Sequence, residues 1–221
     1  MRQTGNYLFL LILLLISMIL AMSIRNIIMV KSVGICLVLG LCLAAYLITR
    51  RHRDQLILFP FGVVALAVHA LMHATNGINF LDIVDGLLWI GFSGYLSLIV
   101  FRQIFDAKSI NSQEIYGAIS VYLILGFIFS QIFGIILILD PAAFAFDPKN
   151  FGDGVLQNGD MIYFSFVTLA TVGYGDLTPA IPIARATCVI ESVTGIMYVA
   201  IFIAKFVSIH SGRSAKSAKQ E

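Results

Sequence analysis

The sequence predicts an all-α membrane protein whose chain crosses the bilayer six times. Of its 221 residues, 59% are hydrophobic and 12% charged, whereas a soluble globular domain carries about 25% charged residues. The apolar residues are also gathered into long runs. A bilayer core takes roughly 20 apolar residues of helix, and six stretches meet that length, at about 7–24, 27–48, 56–75, 81–101, 115–139 and 183–209. A seventh run, near 161–170, is too short to cross. It is expected to be re-entrant or buried against other helices.

The same composition excludes other classes. Fourteen Lys and Arg stand against 12 Asp and Glu, so the chain lacks the basic footprint of a nucleic-acid binder. Cys36, Cys42 and Cys188 fall inside apolar runs, where cysteine acts as a small packing residue, and no disulfide framework is implied. No nucleophile–base pair and no phosphate-binding loop is evident, so the chain is not read as an enzyme.

The first run follows Arg2 and ends near Ala21 and Ser23, as a secretory signal does, but its apolar length suits a retained spanning helix better. Lys and Arg at the helix ends set the orientation. With a cytoplasmic N-terminus, the inner side receives Arg2, Arg50, Arg51, Arg53, Arg102, Lys108, Lys205, Arg213, Lys216 and Lys219. The outer side keeps Arg25, Lys31, Lys149 and Arg185. Both termini are therefore expected in the cytoplasm of a multi-pass plasma-membrane protein, and the compact design suggests a bacterial inner membrane.

Residues 1–110 form a four-helix N-terminal part. Near the outer end of its third and fourth helices, His69 and His73 lie four apart on one helical face, and Asp82 and Asp85 begin the next helix after the turn "TNGIN". An antiparallel hairpin there sets His73 level with Asp82. The four side chains could bind a transition metal, titrate as a proton sensor, or simply pair with one another.

The polar break 102–114 separates the two parts of the chain. Asn111 with Glu114 three residues later fits a helix start, so the fifth helix begins there. The outer loop that follows is acidic. Between 140 and 176, Asp140, Asp147, Asp153, Asp160 and Asp176 face only Lys149, a balance that would concentrate cations if several copies surrounded one entrance; a solvated acidic loop is the plainer alternative. Asp160 is placed to cap the short helix 161–170.

After that helix the chain must return outward through "TVGYGD", residues 171–176. Backbone without helical hydrogen bonds survives at membrane depth only if protein buries it or it lines a water-filled cavity. Gly173 and Gly175 alternate with Val172 and Tyr174, and glycine's tolerance of positive φ lets successive carbonyls face one side. A row of such oxygens from several chains around an axis can stand in for the water shell of a cation.

The last helix starts after Pro179 and Pro182 and carries Gly195 in its middle, at a cost of about 1 kcal/mol relative to alanine. Ser192, Ile196, Val199, Ile203 and Val207 recur at helical spacing and are expected to line a cavity whose lower apolar positions close by dewetting. Glu191 is the one carboxylate deep in this helix. It could bond the short helix, sense protons or tune conduction. The tail 210–221 is short and basic and is expected to be disordered near anionic lipid.

In this setting Thr171-Val172-Gly173-Tyr174-Gly175-Asp176 resembles the selectivity-filter signature of the potassium-channel family. The resemblance covers roughly 111–209, with its order of helix, pore helix, filter and helix. It implies a voltage-gated-like channel architecture built as a homotetramer in membrane lipid, with potassium as the permeant ion and no other cofactor. The carbonyls of Thr171, Val172, Gly173 and Tyr174, with the Thr171 hydroxyl, would coordinate potassium, and Gly175 and Asp176 would form the outer mouth. The Tyr174 ring would be braced by Tyr163, Phe164 or Phe166. Gly195 would be a gating hinge, with close helix packing as the alternative.

The chain also departs from the family pattern. Some members carry a tryptophan at the place of Phe164 and a carboxylate at the place of Val167, and both groups bond around the filter aspartate. Ala170 replaces a frequent threonine. The fourth helix has no basic residue before Arg102, whereas steep voltage gating takes about three or four charges per subunit. A potassium channel without voltage gating is the resulting expectation. A less selective monovalent cation channel and a non-conducting accessory subunit remain the alternatives.

Overall fold

The computed structural model describes residues 7–23, 39–46, 48–49, 52–74, 79–107, 111–151 and 154–217. Helices dominate them. They are α1 (Tyr7–Ser23), a helical stretch α2 (39–46), α3 (His52–Ala74), α4 (Asn79–Phe105), α5 (Ser112–Leu139), α6 (Asn158–Leu169) and α7 (Pro182–Ser217). Among the described residues, four segments are long and apolar enough to cross a membrane: Arg53–Leu71, Phe80–Phe105, Ser112–Leu139 and Pro182–Ile209. Tyr7–Ser23 is apolar but shorter. The second expected run, 27–48, lies largely outside the described residues, as do Arg25 and Lys31.

Helix α5 is the central element: it packs against α1, α4, α6 and α7. Its start obeys the expected box, with the Asn111 N–H donating to Glu114 Oε2 at 2.9 Å. Its faces serve two cores. One includes Leu10 and Leu14 of α1, Phe92 and Leu96 of α4, and Val121 and Ile124 of α5. The other gathers Phe129, Phe133, Phe144, Met161, Phe164 and Leu177 at the opposite end of α5. Three of its rings, Phe133, Phe144 and Phe164, meet edge-to-face with centroids 4.9–5.9 Å apart, a geometry that adds to plain area burial.

Two expectations need correction. The first concerns the start of α6, which lies at Asn158 because Gln157 is its N-cap and Asp160 is the third helical residue, accepting the Gln157 N–H at 2.8 Å. Asp160 thus completes a capping box instead of being the cap itself. The second concerns α7, which continues through Ser217 where a disordered tail was expected. Once a helix is nucleated each added residue gains a hydrogen bond, and Arg213, Ala215 and Lys216 are good helix formers. The fold is all-α apart from one small clasp, in which β1 (Phe144–Phe146) and β2 (Leu177–Pro179) pair antiparallel, with Ala145 opposite Thr178. The Ala180 N–H extends the clasp to Ala143 O at 2.8 Å. This small ribbon ties the loop after α5 to the chain that follows residue 176.

Candidate functional site

Residues 170–175 form an exposed stretch of main chain held between two buried anchors, Leu169 and Leu177. Positive φ recurs at every second residue: 57° at Thr171, 58° at Gly173 and 81° at Gly175. This alternation turns successive peptide units the same way. The amides confirm the direction, since the Val172 and Gly173 N–H groups both reach Val167 O, at 2.9 and 3.4 Å, and the Thr171 N–H reaches Thr168 O at 2.9 Å. With these donors directed back at α6, the carbonyls that share their trans peptide units, those of Ala170, Thr171 and Val172, face away from it. Thr171 was not foreseen in this role: a β-branched residue at positive φ costs roughly 1–2 kcal/mol and persists only where its surroundings impose it.

Behind the ribbon, Tyr163 does two things. Its ring lies parallel to that of Tyr174, 3° between planes and 6.4 Å between centroids. Its hydroxyl donates to Asp176 Oδ2 at 2.7 Å, while Asp176 Oδ1 accepts the Leu177 N–H at 3.0 Å. Tyr163, one residue from Phe164 and four from Val167, thus gives Asp176 a hydrogen-bond donor that neither of those apolar side chains can supply. The other bracing candidates are engaged elsewhere: Phe164 belongs to the phenylalanine core, and Phe166 packs edge-to-face on Phe127. The sequence flagged Tyr163 only as a ring; its hydroxyl role depends on a contact 13 residues along the chain.

The C-terminal end of α6 is held from two sides. Tyr122 of α5 donates to Leu169 O at 3.3 Å, one of the carbonyls at the end of α6, and Ser192 of α7 donates at 3.4 Å to Thr168 O, which also accepts the Thr171 N–H. A Cβ on Gly195 would lie 2.3 Å from Leu169 O, so α7 approaches α6 as closely as backbone allows and the packing account of this glycine has a direct cause. Ser192 is partly buried, while Ile196, Val199, Ile203 and Val207 are all strongly exposed in one chain. Only 17% of the spanning part of α7 is buried, against 44% for α5.

Glu191 is fully buried and contacts Ser165 Oγ at 2.5 Å; the same oxygen lies 2.7 Å from Gly126 O. Ser165 was missed in the sequence. The available signal was a hydroxyl and a carboxyl at membrane depth in two separate apolar segments, which need partners.

The acidic loop between α5 and the ribbon is more structural than its composition suggests. Asp140 accepts the Ala142 N–H at 2.9 Å, Asp147 the Lys149 N–H at 3.0 Å, and Asp160 and Asp176 serve the cap and the ribbon. Asp153 lies outside the described residues.

The four-ligand cluster in the N-terminal part is not assembled among the described residues. His69 Nδ1 pairs with Asp85 Oδ2 at 3.0 Å, and the His69 ring meets that of Trp89 in a T-shaped contact; no group of three ligating side chains is found among the described residues. One helical turn separates Asp82 from this pair in sequence, and the His73 side chain lies outside the described residues.

Comparison with known proteins agrees with the geometry. A family model described as "ion channel" matches residues 118–211, which is a channel class and not an enzyme class. The curated protein "Two pore potassium channel c" of Oryza sativa subsp. japonica is 43% identical over 49 residues, 22% of this chain and 11% of that protein. Both matches are to ion channels, and the chain spans about a tenth of the length of that relative. No solved structure matches the chain significantly.

Proposed function

An ion-channel domain occupies residues 118–211, and on that premise we propose that the chain is one subunit of a homotetrameric, six-helix channel that passes potassium down its gradient. Thr171, Val172, Gly173 and Tyr174 supply the oxygen cage, Gly175 and Asp176 its mouth. The observation that carries this reading is the φ alternation at residues 171, 173 and 175 together with two amides tied to Val167 O. It leaves a row of oxygens with one exposed side, the arrangement that can exchange places with hydration water around a monovalent cation.

One such row cannot encircle an ion. The filter motif occurs once per chain, and closed cyclic symmetry is the ordinary way to complete a ring from one patch per copy. The bare apolar face of α7, with Ile196, Val199, Ile203 and Val207 on it, suits the inner cavity and its dewetting gate below such a ring. Gly195 lets α7 sit against the end of α6 and is also where α7 would bend during gating. Residues 1–110 surround the pore unit without the charges of a voltage sensor, 111–209 conduct, and 210–221 form a short cytoplasmic extension. Both termini lie in the cytoplasm.

Flux through liposomes containing the full chain tests the proposal. Potassium flux blocked by barium, with bi-ionic reversal potentials favouring potassium over sodium, is the expected result. Equal permeation of sodium would make the protein a less selective cation channel, and silence under every gradient would make it a non-conducting subunit.

A further inference from the structure

We infer that Glu191 is a neutral hydrogen-bond donor that positions α6, acting on the filter ribbon through Ser165; the effect on selectivity rests on the function proposed above. Ser165 Oγ is within reach of two oxygens, Gly126 O at 2.7 Å and Glu191 Oε1 at 2.5 Å. A serine hydroxyl has one proton, and a peptide carbonyl can only accept. If Ser165 donates to Gly126, the short contact to Glu191 needs a proton that Glu191 brings. The order is then Glu191 to Ser165 to Gly126, and three elements, α7, α6 and α5, are linked by one directed chain.

The surroundings agree with a neutral acid. Glu191 and Ser165 are each 0% exposed within one chain, so a neighbouring copy has no surface of theirs to reach. Among the described residues no Lys, Arg or His pairs with Glu191. The titratable side chains facing it are Tyr122 from α5 and Cys188 from its own helix, neither of them a cation. Its second oxygen, Oε2, has no hydrogen-bond partner among the described residues. An unpaired buried carboxylate is far more costly than a buried carboxylic acid, and a bare carbonyl oxygen is the cheaper group to leave unsatisfied.

The consequence for the ribbon follows from position. Ser165 lies six residues before Thr171 on the helix whose last carbonyls set residues 171–173. A Cβ on Gly126 would come within 2.6 Å of the Phe166 ring, so α5 and α6 meet closely at this level and the Ser165 link selects the rotation of α6 about its axis.

Two measurements on the full chain in lipid test this. In infrared spectra at neutral pH, wild type minus Glu191→Gln should show a protonated-carboxyl carbonyl band that is lost in the variant and shifts in Ser165→Ala. Loss of carboxylate stretches instead would overturn the neutral donor. In bi-ionic recordings, Glu191→Gln should hold the potassium-to-sodium permeability ratio within about twofold of wild type, because its amide still donates to Ser165. Ser165→Ala and Glu191→Leu should each lower the ratio by about tenfold, roughly what one net hydrogen bond is worth. A wild-type ratio in Ser165→Ala, which removes a single oxygen and keeps the fold, would overturn the positioning role even if Glu191→Leu does not assemble. The infrared band is read whether or not the protein conducts, so a silent wild type sinks the filter reading while the band still decides the state of Glu191.

Discussion

At Gly173 and Gly175 an added methyl group would meet nothing within 4 Å, whereas at Gly195 it would lie 2.3 Å from Leu169 O and at Gly126 2.6 Å from the Phe166 ring. The ribbon and the scaffold behind it thus depend on glycine for opposite reasons. In the ribbon the requirement is conformational, a positive φ of 58° and 81° that L-residues avoid. In the scaffold it is spatial. The difference shows how an exposed, hydrogen-bond-poor segment keeps one shape: its backbone preference is local, while its position is set by helices packed too closely to slide.

Substitutions separate the two requirements, and the largest effect is expected where backbone meets backbone. Gly195→Ala should cost about 3 kcal/mol, the upper end of overpacking, because a carbonyl cannot step aside as a side chain can. Thermal unfolding in detergent should show a lowered midpoint together with lost flux; an unchanged midpoint would mean that α7 shifts freely. Next comes Tyr163→Phe, which removes the hydroxyl bond to Asp176. A bond to a charged group is worth about 2 kcal/mol, so recordings should show reduced selectivity or shorter openings with the unfolding midpoint nearly unchanged.

Gly173→Ala should cost about 1–2 kcal/mol per chain, expressed in the permeability ratio and not in the melting temperature. A matching fall in melting temperature would erase the distinction drawn between ribbon and scaffold. Gly126→Ala should be milder than Gly195→Ala, about 1 kcal/mol, since the atoms it meets belong to the far edge of the Phe166 ring. Smallest of all should be the response to voltage. Helix α4 has Arg102 alone in its last turn and acidic Asp82 in its first, so the conductance–voltage relation should stay shallow. A slope matching several transferred charges would place a sensor where none is expected.

Legibility from sequence varied with the range of the interaction. The box at Asn111 and Glu114 spans three residues, and both partners could be read together. The start of α6 was missed by three residues because Gln157 is an uncommon cap, although the same spacing, Gln157 to Asp160, was present. The glycine alternation was visible, yet Thr171 at positive φ was not, because nothing in a threonine announces a strained conformation imposed by its neighbours. Ser165 and Glu191 are 26 residues apart, and Phe144 joins Phe164 only after α5 and β1 are packed. For the pair His69 and Asp85 the hairpin geometry was legible, but the metal cluster built on it did not assemble among the described residues.

Sequence alone determined that this chain must lie in a membrane and must carry a ribbon unable to be helical there, because apolar run length and glycine placement act locally. Only tertiary structure decided what braces that ribbon: the Tyr163 hydroxyl, the Leu169 carbonyl against Gly195, and the Glu191–Ser165–Gly126 chain. Hydrogen bonds and close packing between distant segments depend on angles and separations of about 1 Å or less, and those distances come into being only when α5, α6 and α7 meet.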